Sequence, residues 1–360
     1  MLYLNRAASL LAPVIFLILS LSARADSDHT IDYAIDHAPI GVMGDHYHKA
    51  GEWMLSARYM RMDMRGNQDS SGKLSDAEVL NTKNVAGNMP MLLSIVPDDM
   101  QMGMLMIGGM YAPSDDLTLM LGVSAVDRQM ASTTYSAANS MAQERQRLGR
   151  FQTSNKDIAN LSFSALIRLQ EQADQRWHMA IGLRQSMASA DATDTVLTPM
   201  NMRMVMRLPY AMQVGDESLA AHAALTHVRD VNDWRFGAQI SGYFNIAAKD
   251  WHFGDEVQGT LWSQRSLSAA LSLSARITVR QQKPISGRDA LIAGPVQAAN
   301  PENYGGTHWD MGLGANYIAS FLPGKGNRLA IEVSAPLKSK PNGVQMRPRS
   351  QITFGWQKAF

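Results

Sequence analysis

The chain has 360 residues, 33 Lys and Arg against 32 Asp and Glu, and no cysteine. Near-zero net charge argues against a nucleic-acid binder, which carries a basic excess, and the absent cysteines exclude disulfides and thiolate metal sites. Length allows one large domain or two ordinary ones, and the abundance of methionine, 25 residues, is the main compositional oddity.

At the N-terminus Arg6 precedes an apolar stretch from Ala7 to Leu21 that ends in Ala23-Arg24-Ala25. A short charged start, an apolar run and an A-x-A site predict a cleaved signal peptide over residues 1–25. The competing reading is a membrane anchor, but the run is short for one and Pro13 interrupts it. No later segment reaches the roughly 18 consecutive apolar residues of a spanning helix.

Residues 26–51 form a His/Met segment containing His37, Met43, Asp45, His46 and His48. Imidazole, carboxylate and thioether groups so close in sequence suit copper or zinc. No fixed spacing defines such a site, and the alternative is a polar lead-in that hydrogen-bonds the periplasmic rim or folds into a lumen as a plug. Gly41 and Gly44 suggest tight turns or close backbone approach there.

From Glu52 to Phe360 the apolar residues recur with period two. Strands are predicted near residues 52–64, 100–111, 117–126, 158–170, 176–187, 218–229, 234–241, 255–264, 266–280, 309–320, 328–337 and 350–360. In the run Ser266 to Arg280, Leu267, Ala269, Leu271, Leu273, Ala275, Ile277 and Val279 fall on one face and mostly polar residues on the other. About twelve strands is an even number, as single-chain bacterial barrels require. Short turns such as 112–116, 171–175, 230–233 and 323–327 mostly alternate with long polar stretches at 65–99, 127–157, 188–217 and 282–308, read as outward loops.

The expected fold class is therefore all-β: a transmembrane antiparallel up-and-down β-barrel spanning 52–360, with a periplasmic or lumenal N-terminal segment. A soluble β-sandwich or soluble barrel shares the period but rarely needs so many strands of bilayer-crossing length. Trp53, Tyr111, Trp177, Trp234, Trp309, Tyr317 and Trp356 lie near strand ends on the apolar parity, as in aromatic girdles. The terminal Phe360 on an amphipathic last strand resembles the signal read by the barrel assembly machinery, a partner alongside outer-membrane lipid.

The methionines are patterned. Met54, Met60, Met62 and Met64 share a parity with Ser56 and Arg58, opposite Trp53, Leu55, Ala57 and Tyr59, and should face the lumen. Met100, Met102, Met104, Met106 and Met110 share one parity on the next strand. A thioether wall suits Cu(I). Methionine is equally a flexible apolar filler along a hydrophobic passage, which would fit an apolar aromatic solute. Other lumen positions carry Arg168, Arg184, Arg235, Arg276 and Arg280, then Asp310 and Glu332. They would either impose a transverse field on solutes or pair with one another to fill the barrel. Catalysis has little support: His178 and His222 lie on strands without a partner serine, and no G-x-S-x-G elbow exists.

The stretch Asp36–Met64, DHAPIGVMGDHYHKAGEWMLSARYMRMDM, and Asp99–Met120, DMQMGMLMIGGMYAPSDDLTLM, resemble a family of outer-membrane transporters commonly labelled as related to the meta-pathway of phenol degradation. The resemblance continues more loosely in Leu208–Gly215, Ile292–Gln297 and Arg328–Glu332. Among its members, the methionine-rich ones look like those associated with copper handling. The chain departs from the family's Met-Gln-x-Gly-Ser-Gly pattern, since Asp216-Glu217 follow Gly215. The resemblance implies a barrel and transport across the outer membrane of a Gram-negative bacterium.

The functional expectation is a passive outer-membrane channel for a small-molecule solute, with no cofactor and no nucleic-acid partner. A copper-binding or copper-resistance protein using Cu(I) and the Met/His clusters is the alternative, and a plugged structural barrel is a third.

Overall fold

A computed structural model describes residues 33–87, 89–141 and 143–360; the predicted signal peptide lies outside them. Twelve long strands follow one another: β1 Trp53–Asp69, β2 Ile95–Ser114, β3 Leu117–Tyr135, β4 Arg147–Glu171, β5 Gln175–Ser186, β6 Leu219–Val231, β7 Trp234–Ala247, β8 Glu256–Ser268, β9 Leu271–Gln282, β10 Gly306–Ile318, β11 Asn327–Pro341 and β12 Gln345–Ala359. Each pairs antiparallel with its neighbours in sequence, and β1 pairs with β12 from Met54↔Ala359 to Gln68↔Gln345. The wall is therefore a closed up-and-down barrel with no free edge.

The outer face explains the solvent it needs. Tyr59, Ile107, Phe163, Ile240, Leu261, Leu313 and Phe354 stand exposed around the whole wall. A continuous apolar girdle of this extent is a liability in water and costs nothing in hydrocarbon. Trp53 and Tyr111, paired across β1 and β2, stack at 4.3 Å on the short-turn rim, and Trp309 stands exposed nearer the long-loop end of β10. The barrel is thus transmembrane, and every second residue inside it faces the lumen.

Two sequence expectations are corrected. The run Ser266 to Arg280 is not one strand: β8 ends at Ser268, Ala269-Ala270 make the turn, and β9 begins at Leu271. The alternation passes through this two-residue turn because small alanines fit either state, which hid the hairpin. Nor is 127–157 a loop. β3 continues to Tyr135 and β4, 25 residues long, starts at Arg147. About ten residues cross a bilayer, so this hairpin stands well above it. There the outer face meets water: Gln129 and Lys156 are exposed while Met130, Ser132 and Thr153 stay buried inside. The pairing persists, but the apolar signal used to recognise strands does not.

Candidate functional site in the barrel lumen

Residues 34–48 run through the barrel at its short-turn end, and side chains from around the wall hold their backbone. Arg58 Nη1 donates to the carbonyls of Ile40 and Val42 at 2.9 and 3.1 Å. Arg235 Nη1 donates to Ile35 O at 2.7 Å, Gln239 Nε2 to Met43 O at 2.9 Å, and Gln264 Nε2 to His37 O at 2.7 Å. Ser272 Oγ serves Ala34 O at 3.0 Å, Asn316 Nδ2 His37 O at 2.9 Å, and Arg328 Nη2 Ala38 O at 2.6 Å. His178 Nε2 donates to Gly44 O at 2.8 Å. These donors come from β1, β5, β7, β8, β9, β10 and β11, so carbonyls that a buried irregular chain would leave orphaned are satisfied.

Packing is as close as the hydrogen bonding. A Cβ on Gly41 would overlap Glu332 Oε1 and lie 2.6 Å from Arg276 Nη2. Arg276 and Glu332 form a buried two-pronged pair beneath it, at 3.0 and 2.6 Å. On the adjoining strand β12, Gly355 leaves room for Ile40. A glycine at 41 is required by close approach.

The segment gathers its own ionisable side chains. Ligand atoms of His37, Asp45 and His46 lie within 4.8 Å of one another. Asp45 Oδ2 is 3.1 Å from His46 Nδ1 and also accepts the Ala38 amide at 2.8 Å. The His37 and His46 rings meet edge-on at 4.7 Å, and those of His46 and His48 at 4.9 Å. His48 Nδ1 is 3.2 Å from Glu52 Oε2. Burial, then the nearby Arg328 charge, holds the His37 imidazole well below its usual range, so it is neutral at neutral pH. Burial also lowers His48. For Asp45 burial acts upward, but the His46 imidazole beside it, Arg328 and His37 together outweigh burial and hold the carboxyl well below the usual range. Met43 stands apart from this cluster, with its Sδ 2.6 Å from Arg58 Nη1.

The methionines form a ladder. Met60 faces Met104, Met62 faces Met102 and Met64 faces Met100 across β1 and β2, while Arg58 faces Met106. On the other side Met100 faces Met130 and Met110 faces Met120. Met60, Met62, Met102, Met104 and Met106 are only half-buried. At the short-turn end Met54 and Met110 are packed with Leu166, and at the other end Met100 and Met130 are packed with Leu208 and Met212. Between those ends Met102 and Met104 pack on one side against Val126, Ala159, Ala188 and Val214, and with Met60, Met62 and Met106 they keep part of their surface exposed.

That second cap is a loop the sequence reading placed outside. Leu208, Tyr210, Met212 and Gln213 are wholly buried. Arg128 Nη1 on β3 holds the loop by donating to Ala211 O and Gln213 O at 2.8 and 2.6 Å. A second inward loop joins it: the Ser94 and Ile95 amides donate to Pro295 O at 2.9 and 3.0 Å, and Gln297 Nε2 donates to Asn67 Oδ1 at 2.6 Å. Tyr210 ties the two loops together, its hydroxyl accepting from the Asp289 amide at 2.9 Å and its ring meeting Tyr304 at 6.0 Å, while Trp251 from the β7–β8 connection packs edge-on against it at 4.7 Å. The stretches Leu208–Gly215 and Ile292–Gln297 are thus two segments that fold into the long-loop mouth.

The charged lumen residues are largely paired. Besides Arg276 with Glu332, Arg235 grips Asp230 at 2.5 and 2.8 Å and reaches Asp36 at 3.1 Å. Arg168 lies at the rim, 2.6 Å from Asp116 and 2.7 Å from Glu171. Arg280 sits 3.9 Å from Glu256, and Asp310 faces Thr278 beside it. Arg184 lies over the Tyr243 ring at 3.8 Å, with His222 stacked on that ring at 4.6 Å. Ion pairing rather than an unopposed field is the arrangement. The sequence reading missed His178, Gln239, Gln264, Asn316 and Arg328 as holders of the segment. Their inward parity was the available signal.

No family model matches the chain, and no curated protein matches it. Its fold is similar to that of an outer-membrane channel from Pseudomonas putida F1, with TM-score 0.55 and 11% identity over 88% of this chain and 98% of that one. A FadL homologue of Pseudomonas aeruginosa matches at TM-score 0.39 and 11% identity over 86% and 90% of the two chains, and the P. putida toluene transporter TodX at 0.41 and 11% over 86% and 90%. The likeness to the P. putida F1 channel is one of fold, and the fold is that of an outer-membrane β-barrel.

Proposed function

We propose that the chain is a passive outer-membrane channel for a small solute in a Gram-negative bacterium, with residues 34–48 acting as a lumen plug. The observation that carries this reading is the half-buried methionine ladder between the plug and the two inward loops. A wholly structural barrel would bury those lumenal side chains fully, as it buries Met54, Met100, Met110 and Met130. The barrel of similar fold from P. putida F1 is an outer-membrane channel. A thioether wall opposite the Arg184–Tyr243–His222 stack favours a flat, largely apolar molecule, an aromatic for example. The exposed Phe360, whose amide donates to Trp53 O at 2.8 Å, supports recognition by the barrel assembly machinery. The test is uptake of labelled phenol and of a sugar of similar size into proteoliposomes. Faster phenol entry than in protein-free vesicles supports the reading; equal entry of both solutes at the protein-free rate removes it.

The rungs Met60–Met104 and Met62–Met102 also favour a second reading, in which opposed thioethers hold Cu(I). Replacing Met60, Met62, Met102 and Met104 by Leu keeps the volume and removes the ligands. Unchanged Cu(I) content after that substitution eliminates the second reading and leaves the first intact.

A further inference from the structure

We infer that His37, Asp45 and His46 form a binding site for one divalent ion of the zinc class, which pins the two limbs of the lumenal segment together. Three observations carry it. The ligand atoms of these residues already lie within 4.8 Å of one another. Tetrahedral coordination at about 2.0–2.1 Å sets ligand atoms roughly 3.3 Å apart, so modest side-chain rotations complete the site. His37 Nδ1 and His46 Nε2 are buried nitrogens without a hydrogen-bond partner, a costly state that a metal ion relieves.

The third observation is the flank. His48 presents a buried, unpartnered Nε2 while Glu52 engages its Nδ1 at 3.2 Å. A carboxylate on the outer nitrogen is the arrangement that orients a metal-binding imidazole. His48 is therefore the fourth ligand, reached by a shift of its ring toward His46, 4.9 Å away. Imidazole with carboxylate selects zinc-class ions over hard cations such as Ca2+. Arg328 opposes a cation here, and the carboxylates of Asp45 and Glu52 offset it.

The site is separate from the methionine ladder, since its ligands are imidazole and carboxylate and the one nearby thioether, Met43, faces Arg58 instead. It closes the turn from Pro39 to Gly44, whose only internal backbone hydrogen bond is Val42 N to Pro39 O at 2.9 Å, so metal would set how firmly the segment is seated.

The full chain in detergent micelles, stripped with EDTA, is titrated with Zn2+, and separately with Co2+ to read coordination from its visible absorption. The expected result is one equivalent bound, with the intense absorption of four-coordinate Co2+. His37→Gln combined with His46→Gln should weaken Zn2+ binding by more than 100-fold, and Glu52→Gln by about 10–100-fold as an outer partner. His252→Gln, in a loop at the opposite mouth, should leave binding unchanged. Electrophoresis of unheated samples confirms that each variant remains a folded barrel. Absence of binding to the wild type, equal binding by the double variant, or loss on His252→Gln would each overturn the assignment.

Discussion

Arg58→Met separates the seating of the lumenal segment from the integrity of the barrel. Each hydrogen bond the Arg58 guanidinium donates goes to that segment: to Ile40 O, to Val42 O and to the Met43 thioether. Methionine keeps most of the volume and leaves no charge stranded. A hydrogen bond from a charged donor contributes about 1.5–3 kcal/mol. Two such bonds, reduced because water reaches some of the freed carbonyls, amount to about 3 kcal/mol, or on the order of 100-fold in the ratio of seated to released segment. Hydrogen exchange followed by mass spectrometry reads this directly. The amides to follow are Ala38, which donates to Asp45, Val42, which donates to Pro39, and His48, which donates to Thr118 Oγ1 at 2.9 Å. Their exchange should accelerate on the order of 100-fold while the β1 amides paired with β2 stay protected. Unchanged protection of Val42, or equal loss of protection along β1, would refute this assignment of what holds the segment.

Other substitutions test separate parts of the account. Gly41→Val places side-chain atoms against the Arg276–Glu332 pair and should destabilise the seated segment by about 1–3 kcal/mol, read as faster exchange at Val42. Glu332→Leu strands the buried Arg276 and should cost about 3–5 kcal/mol in urea unfolding from micelles, more than Arg276→Met with Glu332→Leu together. Leu208→Ala empties a wholly buried site in the inward loop and should loosen it by about 2–5 kcal/mol, seen as protease cleavage at Arg203 or Arg207 without loss of the barrel. Ile107→Arg puts a charge on the lipid face and should destabilise the barrel by about 2–4 kcal/mol in bilayers; an effect near zero would place that face in water.

The wall was legible because lipid imposes a strict code. Leu105 and Ile107 must be apolar, and their neighbours Met104 and Met106 face inward, so residues close in sequence reveal the strand. Where lipid ends, the code ends. The upper parts of β3 and β4 still pair, but their outer residues answer to water, and no periodic apolar signal marks them. The site is harder for a different reason. The histidine cluster is legible as composition, since His37, Asp45 and His46 are close in the chain. What seats it is not: Arg235 meets Ile35 and Arg328 meets Ala38 across 200 and 290 residues. Such donors look like any polar lumen residue until the barrel closes. Likewise Leu208–Gly215 reads as an outward loop by position, although its buried apolar residues decide that it turns inward.

The most direct test of a conducting barrel with an ordered lumenal segment is single-channel recording in planar bilayers, comparing the chain beginning at Asp26 with one lacking residues 26–48. Small, stable steps from the first and clearly larger ones from the second are the expected result, because removing the segment frees the carbonyl-binding wall to hydrate. Identical conductance from both, or none from either, would contradict a lumen narrowed by its own N-terminal segment.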